Sequence, residues 1–304
     1  MARRFDHLAD VEALVAVVDH GSLTAAAVAL ATTPSVISRA VARLETRLGN
    51  QLLRRTTRRT SLTEAGRLYV GQARAAFPLI DDAERAVQGE AGTLSGQVRL
   101  SVPTTYGHYR LPWLLRDFVR QHPQVRLEVN IANRNVDLVA EGYDLAIRLG
   151  ALPDSGLVGR TLEDATLSVV ASPDYLAAHG TPQTLDDLAT HACLPFVLPS
   201  SGRVAPWLFR VDGGDVDWVP CSRIEVSDDV LGVVSLAQAG VGICQTYDFI
   251  IDACTRRGAD LVRVLPELSG RTRPFSLIYA PHRRLSAASR ALIDALVSAT
   301  AMRA

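Results

Sequence analysis

Lysine is absent from this chain. All 32 basic residues are arginine, and 32 acids balance them to a net charge of zero. A GC-rich genome accounts for the bias. Its physical consequence is that every contact with an anion comes from a planar, permanently charged fork. Zero net charge argues against indiscriminate polyanion binding and leaves room only for a focused basic patch. No apolar run approaches the roughly 18 residues of a spanning helix. The start, Met1-Ala2-Arg3-Arg4-Phe5-Asp6, lacks an apolar signal core, so a cytoplasmic protein is expected. Cysteine is scarce: Cys193, Cys221, Cys244 and Cys254 are widely spaced and form no CxxC pattern. That excludes a disulfide framework or clustered metal site and predicts buried reduced thiols. HExxH, GxSxG, P-loop and GxGxxG motifs are all missing, and the seven histidines are scattered. The lone His191-Ala192-Cys193 reads as core, so neither an enzyme nor a metal or cofactor is expected.

What is present is concentrated between residues 8 and 63. Val11, Leu14, Val15 and Val18 predict a first helix over about Leu8–His20, ended by Gly21, with Ser22 placed to cap a second. Small Ala26, Ala27 and Ala31 let that second helix sit close to its neighbours. After an Ala31–Thr32–Thr33 turn, Pro34 suits the first position of a third helix running to Leu48, where its missing N–H costs nothing. Ile37, Val41, Leu44 and Leu48 form one buried stripe at helical spacing, while Ser35, Ser38, Arg39 and Ala42 face the other way. Leu52 and Leu53 would anchor a hairpin with Arg58 and Arg59 near its tip. From Ser35 to Thr63 seven arginines meet one acid, Glu45, a local charge of +6. A helix-turn-helix beside a cationic loop reads DNA, one helix for base edges and arginines for phosphates. An ordinary helix pair with a solvated charged face would have the same spacing.

The run Ala26–Ala27, Leu30, Thr33–Pro34–Ser35, Ser38–Arg39, Leu44–Glu45, Leu48–Gly49, Arg55, Arg58, Leu62–Thr63 and Ala65–Gly66 resembles the N-terminal domain of LysR-type transcriptional regulators. The resemblance extends over nearly the whole chain. It implies an α+β multidomain protein: a winged helix-turn-helix over 1–62, a linker and dimerisation helix over 63–92, and an effector-binding domain over 93–304. That last part would be bilobal α/β and similar to periplasmic solute-binding proteins, with lobe I about 93–166 and 269–304 and lobe II about 167–268. The expected partners are double-stranded DNA, a small-molecule effector, and copies of the same chain in a homodimer that builds a homotetramer; RNA polymerase is allowed as a further one. By this resemblance Thr33, Pro34, Ser35, Ser38, Arg39 and Arg43 would meet DNA from the recognition helix, and Arg55, Arg58 and Arg59 from the wing.

Thr63 opens a long helix whose apolar face is Leu68, Ala75, Ala76, Leu79, Ala83 and Val87; Pro78 should kink or locally break it. Gly89–Gly96 reads as a hinge. Beyond it, strands at Val98–Val102, Val125–Ile131 and Asp144–Leu149 alternate with helices at Leu111–Gln121 and Val136–Glu141, a parallel α/β pattern. A second unit, about Leu167–Leu265, includes strands at Leu194–Leu198 and Val241–Cys244; Phe275–Ala280 then returns as a strand before a final helix from Ser286. Leaving one lobe and returning to it makes two crossing segments with a cleft between.

Ligands in open α/β sheets sit beyond the carboxyl ends of strands. That rule selects Pro103, Thr104 and Thr105 after the first strand, Ser200 and Ser201 in a polar loop, and Ser227 with Asp228 capping the helix through Leu236. Arg148 could supply charge for a carboxylate, and Tyr247 follows a strand where many family members turn with a proline. The same hydroxyls suit helix capping, and Arg148 suits pairing with an acid. The predicted function is a sequence-specific transcription factor controlled by an effector between the lobes. The alternative is a ligand-independent architectural or redox-responsive DNA-binding regulator.

Overall fold

The computed structural model describes residues 6–55, 60–87, 94–138, 141–150, 156–258, 260–280 and 285–301. Three helices open the chain: α1 (Leu8–His20), α2 (Leu23–Ala29) and α3 (Pro34–Leu48). Each boundary has a local cause. Gly21 ends α1 in the left-handed region at φ 75°, and Ser22 Oγ accepts the Ala25 N–H at 3.1 Å to start α2. Thr33 Oγ1 accepts the Val36 N–H at 3.4 Å, with Pro34 at the first position of α3. Leu14, Val17, Ala26, Ile37, Val41 and Leu44 form the shared core. Val17 is buried in α1 where Val15 and Val18 were expected; those two are half-buried, because the inward face runs through residues 10, 13, 14 and 17. Glu45 accepts the N–H groups of Leu52 and Leu53 (2.8 and 3.0 Å), tying α3 to the hairpin of β1 (Leu53–Arg55) and β2 (Thr60–Leu62). Arg58 and Arg59 lie outside the described residues.

The long helix α4 (Glu64–Val87) is capped by Thr63, whose hydroxyl accepts the Gly66 N–H at 2.9 Å. A Cβ at Gly66 would stand 2.1 Å from the Leu52 carbonyl oxygen, so this close approach needs glycine. The helix runs unbroken through Pro78, so of the expected kink or local break the break does not occur. One lost N–H does not end a helix already seated on α1 through Val70, Ala73 and Phe77. Among the described residues no single helix is long and apolar enough to cross a membrane. The α1–α2 pair passes by length and composition, but it is bent by 115° and its apolar side forms the core above.

The remaining chain contains β3 (Ser95–Val102), α5 (Thr104–Tyr109), α6 (Leu111–Gln121), β4 (Gln124–Ile131), β5 (Leu145–Leu149), β6 (Val158–Ala171) and α7 (Pro173–His179). It continues with β7 (Trp207–Val211), β8 (Gly214–Trp218), α8 (Leu231–Gln238), β9 (Cys244–Tyr247), α9 (Asp248–Arg256), β10 (Val262–Val264), β11 (Thr272–Tyr279) and α10 (Ala287–Ala301). The principal sheet has the order β10-β6-β11-β5-β3-β4, with β9 also on β6. Only β3 with β4 and β3 with β5 are parallel; β5, β11, β6, β9 and β10 pair antiparallel, so the sheet is mixed rather than parallel throughout. The returning strand β11 inserts between β5 and β6, which reverses the direction there. Strand β6 pairs with β11 up to Thr166 and with β9 and β10 from Leu167, so one strand serves both lobes.

Several local expectations change. Of the expected hinge at Gly89–Gly96, residues 89–93 lie outside the described residues, and Gly96 belongs to β3, at φ 114°. No helix forms among the described residues of 136–141. Glu141 closes a single turn onto the Asp137 carbonyl (2.9 Å), and Leu138 turns into a core with Tyr143, Ala146 and Ile278. Leu194–Leu198 is extended chain held by isolated bridges rather than a ladder. The strand expected at Val241–Cys244 is β9, Cys244–Tyr247, with Tyr247 its last residue.

Candidate nucleic-acid interface and interlobe cleft

The first two turns of α3 are open to solvent. Thr33, Pro34, Ser35, Val36 and Arg39 are exposed and Ser38 half-buried, while Ile37, Ala40 and Val41 face the core. Thr33 and Ser35 hydroxyls lie 3.2 Å apart, and Arg39 Nε donates to the Ser35 carbonyl at 3.2 Å. That contact ties the Arg39 side chain to the exposed first turn of the helix. Among the described residues no carboxylate pairs with Arg39 or Arg54. Arg43 is different: it forks onto both oxygens of Asp10 in α1, with Nε to Oδ2 at 3.1 Å. Hydrogen bonding to Asp10 raises the Arg43 pKa above its ordinary value. Arg47 is likewise held by Asp6 at 3.0 Å. The local charge is thereby trimmed from the flank of α3 and left at its start. Asp10 gave no signal in the sequence beyond its place in the first turn of α1. Arg55 lies at the end of β1.

Helix α4 carries two apolar stripes. One packs on α1; the other leaves Leu68 at 60% exposure and Val87 at 88%, with Leu79, Ile80, Ala83 and Val87 lining a shallow groove. Arg74 of α4 pairs with Asp19 of α1. Its Nη1 lies 2.6 Å from where a Cβ would stand on Gly142, so α4 presses against the turn before β5. Beside it Arg99 donates to the carbonyls of Glu141 (2.9 Å) and Gly142 (3.2 Å) and to Glu128 (2.9 Å).

Between the lobes lies a cavity of about 220 Å³. Of the residues expected to meet a ligand, Pro103, Thr105, Arg148, Ser200 and Tyr247 line it; Thr104, Ser201 and Ser227 do not. Thr104 is used structurally, its N–H and hydroxyl meeting Asn133 Oδ1 at 3.0 and 3.2 Å. Ser201 is exposed and accepts the Arg203 N–H at 3.4 Å. Ser227 is exposed as well, and Asp229, not Ser227 or Asp228, accepts the first N–H of α8, from Leu231 at 3.1 Å. The reason is that Asp228 turns at φ 62° and shifts the helix start to Leu231.

Residues not foreseen complete the wall. Asn133 donates to the Asp228 carbonyl at 2.8 Å, a tether from one lobe to the other. Gln245 is clamped to the Leu208 backbone by two bonds of 2.8 and 2.9 Å, and Thr246, Trp207 and Arg273 also border the cavity. The carboxyl-end rule, applied after β4, would have found Asn133; nothing local marks Arg273. Burial raises the Tyr247 hydroxyl pKa, and Tyr247 stacks on Phe249 at 5.3 Å.

Three of the four cysteines are buried as expected, but Cys221 is exposed on the irregular segment after β8. Burial pushes the Cys193 thiol up to about 12.

The family model described as "LysR substrate binding domain" matches residues 91–301, and that of the "Bacterial regulatory helix-turn-helix protein, lysR family" residues 8–67. An HTH-type transcriptional regulator of Xanthomonas campestris pv. campestris is 35% identical over 292 residues, covering 96% of this chain and 85% of its own. The HTH-type transcriptional regulator CrgA of Neisseria meningitidis is 33% identical over 288 residues, 95% of each chain. The solved structure of CrgA superposes with a TM-score of 0.62 over 96% of this chain and 98% of its own. A full-length OxyR structure from Pseudomonas aeruginosa, at 16% identity, shares the fold with a TM-score of 0.69 over 96% of this chain and 94% of its own.

Proposed function

The chain belongs to the LysR family of transcriptional regulators, and from that premise we propose that it acts in the cytoplasm as paired copies reading one operator, switched by an effector between its lobes. In this reading residues 1–62 bind DNA, 63–92 pair the subunits and 93–304 sense the effector. Ser35, Ser38 and Arg39 reach base edges or flanking phosphates, Thr33 and Pro34 approach the backbone, and Arg55, Arg58 and Arg59 hold phosphates from the wing. The carrying observation is the start of α3, where an exposed Arg39 free of any carboxylate among the described residues stands beside short polar side chains. The uncovered stripe of α4, with Leu68, Ile80 and Val87 exposed, supports dimerisation through that helix, and dimers of dimers would follow through the effector domains.

Switching requires that the effector bind two arrangements with different affinity. The tether from Asn133 to Asp228 and the pressure of α4 on Gly142 are contacts through which a change between lobes reaches the DNA-binding part. Footprinting of duplex DNA flanking the coding region, with sedimentation of the same sample, tests the reading. Protected half-sites and a dimer or tetramer are expected. A monomer that retards no duplex at low ionic strength would sink it.

A further inference from the structure

Acids and bases balance over the whole chain, yet two arginines and no acid line the interlobe cavity. Arg148 enters from β5 and Arg273 from β11. Neither guanidinium has a carboxylate within ion-pair distance among the described residues. Glu141, a carboxylate whose charge acts on Arg148, is held instead by Arg134 at 2.9 Å.

Arg148 is nonetheless fixed. Its Nη1 donates to the carbonyls of Ser101 (3.2 Å) and Ile147 (2.7 Å), and its Nη2 to Ser101 Oγ (2.8 Å). These acceptors are neutral: they orient the fork without cancelling its charge. Its Nε–H and a second Nη2–H have no acceptor among the described residues. Burial pulls Arg148 down to about 10, so it stays charged at neutral pH in a place that disfavours charge.

Two hydroxyls tell the same story from opposite walls. Thr105, in the first turn of α5, and Thr246, in β9, are each only 4% exposed and line the cavity. Neither hydroxyl has a hydrogen-bond partner among the described residues, and neither is a buried orphan, so both are open to whatever occupies the cavity. The wall also carries the neutral polar side chains of Asn133, Asn135, Ser200 and Gln245, and an apolar part made by Leu167, Phe196, Trp207 and Val233. A cavity of about 150 Å³ accepts benzene, so the 220 Å³ here suits a ring with one small substituent.

We propose that the cleft recognises a small aromatic monocarboxylate, its charge on Arg148 and Arg273 and its ring among Trp207, Phe196 and Leu167. The proposal rests on the cleft being the effector site. A carboxylate that also accepts from Thr105 and Thr246 links the two walls, which gives an anion a stronger hold on the closed arrangement than a neutral ring has.

Calorimetric titration of the full chain with benzoate, benzamide and benzylamine tests this. Benzoate should bind, benzamide at least about tenfold more weakly, and benzylamine not at all. Arg148→Gln should weaken benzoate by about ten- to a hundredfold, the range for hydrogen bonds to a charged group, and leave benzamide unchanged; Arg148→Lys should fall between. Equal binding of benzoate and benzamide, or benzoate binding indifferent to Arg148→Gln, overturns the assignment. So does silence from both benzoate and phenylacetate at millimolar concentration, whether or not inorganic phosphate binds. The underlying cleft reading fails separately: Val233→Phe, which fills the cavity, would leave the binding of whichever probe binds unaltered.

Discussion

The DNA-facing helix and the interlobe cavity both depend on arginine, and they treat it in opposite ways. Around α3, acids on and before α1 take up the flanking cations: Asp10 holds Arg43 and Asp6 holds Arg47. Arg39 remains, exposed and solvated. In the cleft no acid is supplied, and Arg148 is steadied only by neutral oxygens. Water makes the difference. An unpaired cation in solvent costs little until a phosphate displaces its hydration, and it is screened by salt. The same cation away from solvent is costly until a ligand's charge arrives. Unpaired arginines therefore mark binding surfaces in both regions, but with different sensitivities.

The largest expected effect follows from that contrast. Raising salt from about 50 to about 200 mM should weaken operator binding by about a thousandfold if six or so phosphates are contacted. Benzoate affinity for the same sample should change by less than about tenfold, since its partners are partly withdrawn from solvent. Retardation gels and calorimetry across a salt series would measure both; parallel slopes would erase the distinction. Next in size, Arg39→Ala should cost about 1–3 kcal/mol of specific DNA binding, with relaxed selectivity at one base pair. Competition between operator and scrambled duplex reads this out, and an unchanged ratio removes Arg39 from base recognition.

The smallest effect probes a paired arginine. Arg99 donates to Glu128 and holds its carboxyl below the usual carboxylate range. A depressed folded-state pKa means stabilisation present above the ordinary value of 4.5 and lost as pH falls through the folded value. The thermal midpoint should therefore drop on the acid side of that range. Glu128→Gln should lower the midpoint slightly at neutral pH and flatten the acid drop. A variant with an unaltered acid profile would show that this half-exposed pair contributes nothing.

Legibility followed sequence distance. The N-terminal helices could be read because every signal is local: the Ile37, Val41 and Leu44 stripe, the Ser22 and Thr33 caps and Pro34 at a helix start all act within one or two turns. In the cleft, Pro103, Thr105 and Arg148 could be found because each follows or ends a strand. Thr104 and Ser227 misled for the same local reason, since a hydroxyl before a helix looks alike whether it faces a ligand, Asn133 or solvent. Arg273 and Thr246 were invisible. Their place in the wall exists only because β11 inserts between β5 and β6 and β6 continues into the second lobe.

Hydrophobic period, caps and the arginine-rich stretch by themselves determined that this chain opens with three helices beside a basic patch and runs into a long helix, because those features are written in contacts a few residues apart; the bilobal α/β unit was implied by the resemblance and is built by the long-range return of β11. Which cations are neutralised was decided by tertiary structure alone. Asp10 reaches Arg43 across 33 positions of sequence, while Glu141 goes to Arg134 and leaves Arg148 unpaired among the described residues. Charge pairing acts through space over a few ångströms, and only the folded chain sets those distances.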